Sequence, residues 1–251
     1  MTPFYFGGRD RRLFGVYEPA ISQVARSNAV VLCYPLGEEY FHAHRSLRHL
    51  SRLLAQAGVH VLRFDYYGTG DSGGEMGDVS LCGARMDILE AVQELKAITQ
   101  VDAVTLVGLR LGASLAAGAT IISPAEVSDL ILWDPVVTGD RYFQELALRR
   151  VDRETWNARG DPPLPETDPN FTERVLGEIR DLNLAAASLP PHVLLISSAE
   201  TADEARSQVL GLQTISPLQH IPSLPVWVDH WPHGPLPVPV LRRIVEWISA
   251  R

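Results

Sequence analysis

The chain has 251 residues, of which 46% are hydrophobic and 21% charged, so it is long enough to bury a sizeable core and too polar for a membrane protein. Twenty-two Lys and Arg against thirty Asp and Glu leave a net charge of −8, which works against a sequence-independent hold on nucleic acid or on an anionic membrane, both of which need clustered cations. Two cysteines, Cys33 and Cys82, are too few for a disulfide-built scaffold and lack metal-ligand spacing, and with no signal-peptide or membrane-spanning run the composition predicts an acidic cytoplasmic protein.

In chain order, two short strands around Phe4–Phe6 and Arg12–Tyr17 are joined by Gly7-Gly8-Arg9-Asp10, where glycine supplies the positive φ of a hairpin turn. Ala29–Tyr34 is a continuous apolar run ended by Pro35, as expected of a strand covered on both faces. A helix over His44–Gln56 follows, with Leu47, Leu50, Leu53 and Leu54 at helical spacing and Gly58 beyond its end. The strand Val59–Phe64 leads into the loop Asp65–Gly74, then a helix over Leu81–Ile98, the strand Ala103–Val107 and a helix starting near Leu111. Further strands are predicted at Leu130–Trp133, His192–Ile196 and Pro225–Val228, and a last helix at Val238–Ile248.

Alternating strands and helices predict an α/β protein with a mainly parallel, doubly wound sheet and an antiparallel N-terminal hairpin. Roughly 55 residues separate the Trp133 strand from the Val193 strand, far more than the dozen or so a crossover needs. The excess holds two candidate helices, near Arg141–Arg150 and Phe171–Leu182, around the proline-rich stretch Gly160–Pro165. One domain over 1–251 is therefore expected, with a cap or lid inserted at about 139–190.

Ligands of open parallel sheets bind in loops beyond the carboxyl ends of the strands. After the Val107 strand that loop is Gly108-Leu109-Arg110-Leu111-Gly112, the frame of the strand-to-helix nucleophile elbow Gly-x-Ser-x-Gly with arginine at the serine position. This element order, the loop Phe64–Ser72 with its Gly68-Thr69-Gly70-Asp71-Ser72, and Tyr34-Pro35-Leu36-Gly37 together resemble the α/β-hydrolase superfamily. More closely, the Gly108–Gly112 turn and Leu132-Trp133-Asp134-Pro135-Val136-Val137-Thr138-Gly139 resemble the exosortase-A-system-associated hydrolases, in which an elbow arginine is familiar. The resemblance implies an α/β-hydrolase fold with an oxyanion loop at Tyr34–Gly37. It also implies an acid after the Ile196 strand, at Glu200 or Asp203, and a histidine after the final strand, at His230 or His233.

A guanidinium is always protonated and offers no lone pair, so Arg110 cannot form an acyl-enzyme. Three roles remain open for it: gripping a carboxylate or phosphate at a helix N-terminus, pairing with a buried acid inside a vestigial pocket, or stabilising charge during catalysis. The candidate catalytic groups are His230, His233, Glu200, Asp203 and Asp134, although Asp203 equally suits an acidic helix cap. The candidate ligand contacts are Arg110, Leu111, Leu36, Gly37 and Asp65. Asp65 and Asp134, at strand ends, suit a general base, a partner for Arg110, or turn closure. Ser114, Ser72 and Cys33 are weak substitutes for the missing serine. His42 and His44, two residues apart beside Glu38 and Glu39, lack metal-site spacing; no metal and no cofactor is expected.

These residues admit three functions. The first is an α/β-hydrolase-fold protein that binds a small acidic or acyl ligand, with non-covalent acid–base chemistry at His230 or His233. The second is a non-catalytic interaction module with a protein partner or a second copy of itself. The third is an ester or thioester hydrolase with a relocated nucleophile.

Overall fold

A computed structural model of the chain describes residues 1–21, 28–156, 168, 170–186, 189, 192–212, 216–225, 227 and 236–251. Among these residues eight strands form one sheet in the order β1-β2-β4-β3-β5-β6-β7-β8. Strands β1 (Thr2–Phe6) and β2 (Leu13–Glu18) make the expected antiparallel hairpin, and β2 runs antiparallel to β4 (His60–Phe64). The remaining strands, β3 (Asn28–Cys33), β5 (Ala103–Leu109), β6 (Asp129–Trp133), β7 (Val193–Ser197) and β8 (Leu218–His220), are parallel to their neighbours. The fold is that of an α/β-hydrolase.

Every residue of β3, β6 and β7 is buried, which is why these strands read as unbroken apolar runs instead of alternating ones. Helices α1 (Glu38–Gln56), α2 (Leu81–Thr99), α3 (Leu111–Ile122) and α7 (Val238–Ser249) contribute buried faces such as Leu47, Leu50 and Leu54 of α1 and Leu241, Ile244 and Ile248 of α7. Ser80 caps α2 by accepting the Gly83 N–H at 3.0 Å.

Helix α1 begins at Glu38, six residues before the expected His44, because Glu38 and Glu39 favourably face the positive end of its dipole. Between β6 and β7 lie α4 (Gly139–Trp156), longer than expected, and α5 (Glu173–Arg180), within the expected span. The proline-rich stretch 160–165 falls outside the described residues. After β7 comes α6 (Ala202–Gln208).

The final strand departs from expectation. Among the described residues it is the short, half-buried Leu218–His220; of the expected Pro225–Val228, Pro225 lies in no strand, Trp227 sits in a turn, and residues 226 and 228 are outside the described set. An edge strand paired on one side tolerates polar Gln219 and His220 and carries no apolar signature, whereas buried Trp227 serves a tertiary contact instead.

Candidate functional site

The turn from β5 into α3 is built by glycines on both sides. A Cβ at Gly108 would strike the backbone of Ala113, and one at Gly112 would strike the carbonyls of Cys33 and Tyr34, so only glycine lets α3 start this close to the end of β3. Arg110 sits between them with φ 55° and ψ −125°, a conformation that costs a non-glycine residue about 1–3 kcal/mol. Its backbone is held by Arg110 N–H donating to Trp133 O at 3.0 Å and by Ala113 N–H donating to Arg110 O at 3.0 Å.

The Arg110 side chain is 1% exposed. Its Nε donates to Glu39 Oε1 at 3.2 Å and its Nη2 to Glu145 Oε2 at 2.6 Å, while Nη1 reaches Asp134 O at 3.5 Å. The guanidinium carbon lies 5.2 Å from the Trp227 ring centre and 5.6 Å from that of Tyr142. Burial by itself would lower the arginine pKa, but Glu39 and then Glu145 more than offset it and push it higher. Glu145 Oε1 also accepts from Arg141 Nε at 3.2 Å, and Arg141 Nη1 donates to Ser207 Oγ at 3.0 Å. One chain of ion pairs and hydrogen bonds thus joins α1, the β5–α3 turn, α4 and α6.

Asp134, at the end of β6, has φ 43° and no solvent exposure. Its Oδ1 accepts the Ser198 N–H at 2.7 Å and its Oδ2 the Ser198 hydroxyl at 2.5 Å. Burial pushes its carboxyl up to about 6, against the lowering effect of Ser198 and Arg110. Asp65 accepts the Tyr40 hydroxyl at 2.6 Å and the Asp71 N–H at 3.0 Å, so it closes its own loop and makes no ion pair with Arg110.

Ser72 donates to Asp65 O at 2.6 Å and accepts the Phe14 N–H at 2.8 Å; Ser114 donates to Val136 O at 2.5 Å. Both hydroxyls serve backbone closure. Cys33 is fully buried, with its thiol pushed upward by that burial, the opposite of an activated thiolate. Glu200 is exposed, and Asp203 lies in the first turn of α6, paired at 3.0 Å with Arg206 and 96% exposed. The N-cap of α6 is Thr201, whose hydroxyl accepts the Glu204 N–H at 3.2 Å. His230 and His233 lie outside the described residues. Among the described residues no three His, Cys, Asp or Glu side chains gather as metal ligands.

Leu36 and Gly37 line a cavity of about 350 Å³ together with Tyr40, Phe41, Gly70, Val79 and Phe171. It lies between the loop after β3, the start of α1, the loop after β4 and the approach to α5. Gly37 has φ 69°, and a Cβ there would collide with the Asp168 carboxylate, whose Oδ2 accepts the Glu38 N–H at 2.5 Å. Glu39, Glu145 and Asp168 are the contacts that sequence reasoning missed. The acids beside His42 suggested only a helix-entry loop, and nothing local links position 110 to positions 39 or 145.

A family model described as serine aminopeptidase, S33, matches residues 28–173, more than half of the chain. The chain belongs to this hydrolase family. Solved structures agree at the level of fold. The α/β serine hydrolase XC6422 from Xanthomonas campestris, described as being without a lid, superposes with a TM-score of 0.65 at 15% identity over 99% of this chain and 94% of that one. Proline iminopeptidase from Mycobacterium smegmatis gives 0.68 at 12% identity over 99% and 97%. Est1E from Butyrivibrio proteoclasticus, with ferulic acid bound, gives 0.68 at 16% identity over 98% of each chain. No curated protein sequence matches the chain significantly.

In this S33-family chain the residue between the two turn glycines is a cation whose side-on fork is already engaged by two carboxylates. Such a group holds elements together. It has no lone pair for attack and offers little to an incoming anion.

Proposed function

We propose that this S33-family protein is a binding protein for a small acyl ligand that does not perform serine hydrolysis, with the β5–α3 turn as the family's nucleophile elbow and Arg110 in the serine's place. The observation that carries this is the engagement of Arg110 by Glu39 and Glu145 at 1% exposure: the elbow side chain is part of the core. Of the two ligand classes expected from the sequence, acidic and acyl, the acyl class suits the cavity better. Leu36, Val79, Phe41 and Phe171 give it apolar walls, and its volume falls within the roughly 300–1,000 Å³ of small-molecule sites. The α4–α5 segment acts as a cap whose Asn170 and Phe171 form one cavity wall. An elbow arginine agrees with the finer resemblance to the exosortase-A-system-associated hydrolases.

Two measurements test this. A fluorophosphonate probe is expected to leave the pure protein unlabelled, and stoichiometric labelling would overturn the loss of serine chemistry. A fluorescent medium-chain fatty-acid probe is expected to bind saturably. Phe41→Asp places a charge at the exposed rim of the cavity and is expected to weaken that binding by about tenfold, on the order of 1.4 kcal/mol. An unchanged affinity would remove the ligand from this cavity.

A further inference from the structure

Arg63 is a second buried arginine and, unlike Arg110, it meets no carboxylate among the described residues. It lies on β4, opposite Val16 of β2 and Leu32 of β3, positions where the sheet otherwise carries apolar side chains. It is 5% exposed. Its Nη1 donates to the Tyr34 hydroxyl at 3.2 Å, and its Nη2 has only the Met1 thioether at 3.9 Å. Its Nε is buried and has no hydrogen-bond partner. An arginine placed for stability in this chain looks different: Arg11 pairs side-on with Asp87 at 2.6 and 3.0 Å, and Arg110 uses Nε and Nη2 on two glutamates. Arg63 leaves this same Nε/Nη2 edge without an acid, although burying an uncompensated charge is costly.

Two further basic side chains stand near this edge, with Asp65 as the neighbouring acid. His44 and Arg48 lie one turn apart on the same face of α1, both exposed, and His44 stacks on the Tyr34 ring at 5.8 Å between centroids. Met1, 60% exposed, lies against the fork with a weakly accepting sulfur that an oxyanion readily displaces. Asp65 is the acid acting on His44 and Tyr34, and its oxygens are engaged by Tyr40 and Asp71.

We propose that Arg63, Tyr34, His44 and Arg48 form a binding site for a phosphate group, outside the cavity lined by Leu36 and Tyr40. The Nε/Nη2 edge takes two phosphate oxygens side-on, Arg48 supplies a second positive charge, and the His44 imidazole is within reach to share a proton. Two cations and a histidine match a dianion better than a single carboxylate. The site is independent of the acyl-ligand proposal, since none of its four residues lines that cavity.

Calorimetric titration of the protein with inorganic phosphate tests it, with acetate and chloride at matched ionic strength as the other arms. Wild type is expected to bind phosphate saturably at one site. Arg48→Ala is expected to weaken it by about tenfold and Arg63→Met to abolish it. Arg63→Met replaces an unpaired buried cation by an apolar chain of similar length, so its Tm is expected to equal or exceed that of wild type. Should it fail to fold, Arg63→Lys keeps the charge, loses the fork and is expected to bind at least tenfold more weakly. Phosphate is also expected to raise the His44 titration midpoint, read by proton NMR. Equal affinity for acetate would overturn the assignment to phosphate. Phosphate binding that is absent from wild type, or unchanged in both Arg63 variants, would overturn the site.

Discussion

At the scale of single residues, the chemistry turns on how each buried charge is compensated. Arg110 is compensated by Glu39, itself 3% exposed, and by Glu145. Removing one partner of such a cluster leaves an uncompensated buried charge, which costs about 3–5 kcal/mol. Arg110→Met is therefore expected to lower Tm by on the order of 10 °C, and adding Glu39→Gln is expected to restore part of the loss. Additive effects in that double-mutant cycle would show that the pair is not coupled.

Asp134 is the opposite case, a carboxyl whose burial makes ionisation unfavourable. Its folded value of about 6 exceeds the roughly 3.9 of an unfolded aspartate. Its contribution to stability is therefore complete below about pH 4 and is lost as pH rises through 6, a change on the order of 3 kcal/mol. Asparagine keeps the acceptor for the Ser198 N–H and tolerates φ 43°. Asp134→Asn is expected to match wild type at pH 4 and to be more stable at pH 7. Urea unfolding at the two pH values checks the sign, and an Asn variant less stable at pH 7 would contradict it.

At the scale of elements, the Glu145 carboxylate links α4 to the β5–α3 turn, and Arg141 links α4 onward to α6. Glu145→Ala is expected to speed amide hydrogen exchange in α4 by about tenfold or more, and by a larger factor there than in β3 and β5. Uniform loss of protection across the sheet would mean that the ion pair supports global stability alone. For α2, Ser80→Ala removes the acceptor of the Gly83 N–H and is expected to cost about 1 kcal/mol, read from denaturant midpoints. The elements themselves were largely legible in the sequence, because β3, β6 and β7 are buried on both faces and announce themselves as apolar runs. The edge strand β8 was not legible, since pairing on one side leaves no such run, and the start of α1 was hidden by two acids that resemble a loop but suit a helix N-terminus.

At the scale of the whole molecule, the charge of −8 does not describe the interior, where buried charge is mixed in sign. Arg63 and Arg110 share the core with Glu39, Asp87 and Asp134, while Asp203 and Glu200 face water. Among the described residues no helix is long and apolar enough to cross a membrane, consistent with an α/β layer built around one sheet. Tyr40 and Phe41 of α1 line the cavity at Leu36–Gly37, and His44 and Arg48 of the same helix belong to the proposed Arg63 site. One helix thus borders both proposed sites.

The sequence by itself determined the fold class, the strand-to-helix turn at Gly108–Gly112 and the arginine on it, because hydrophobic period and glycine spacing are local properties of the chain. The tertiary structure alone decided what that arginine does. Its partners stand 71 positions before it and 35 after it, and pairing over such separations depends on how α1 and α4 pack over the sheet, which no local pattern encodes. The same holds for Arg63. A basic residue in an apolar strand is visible in the sequence, but only the folded neighbourhood shows that no acid among the described residues comes to meet it.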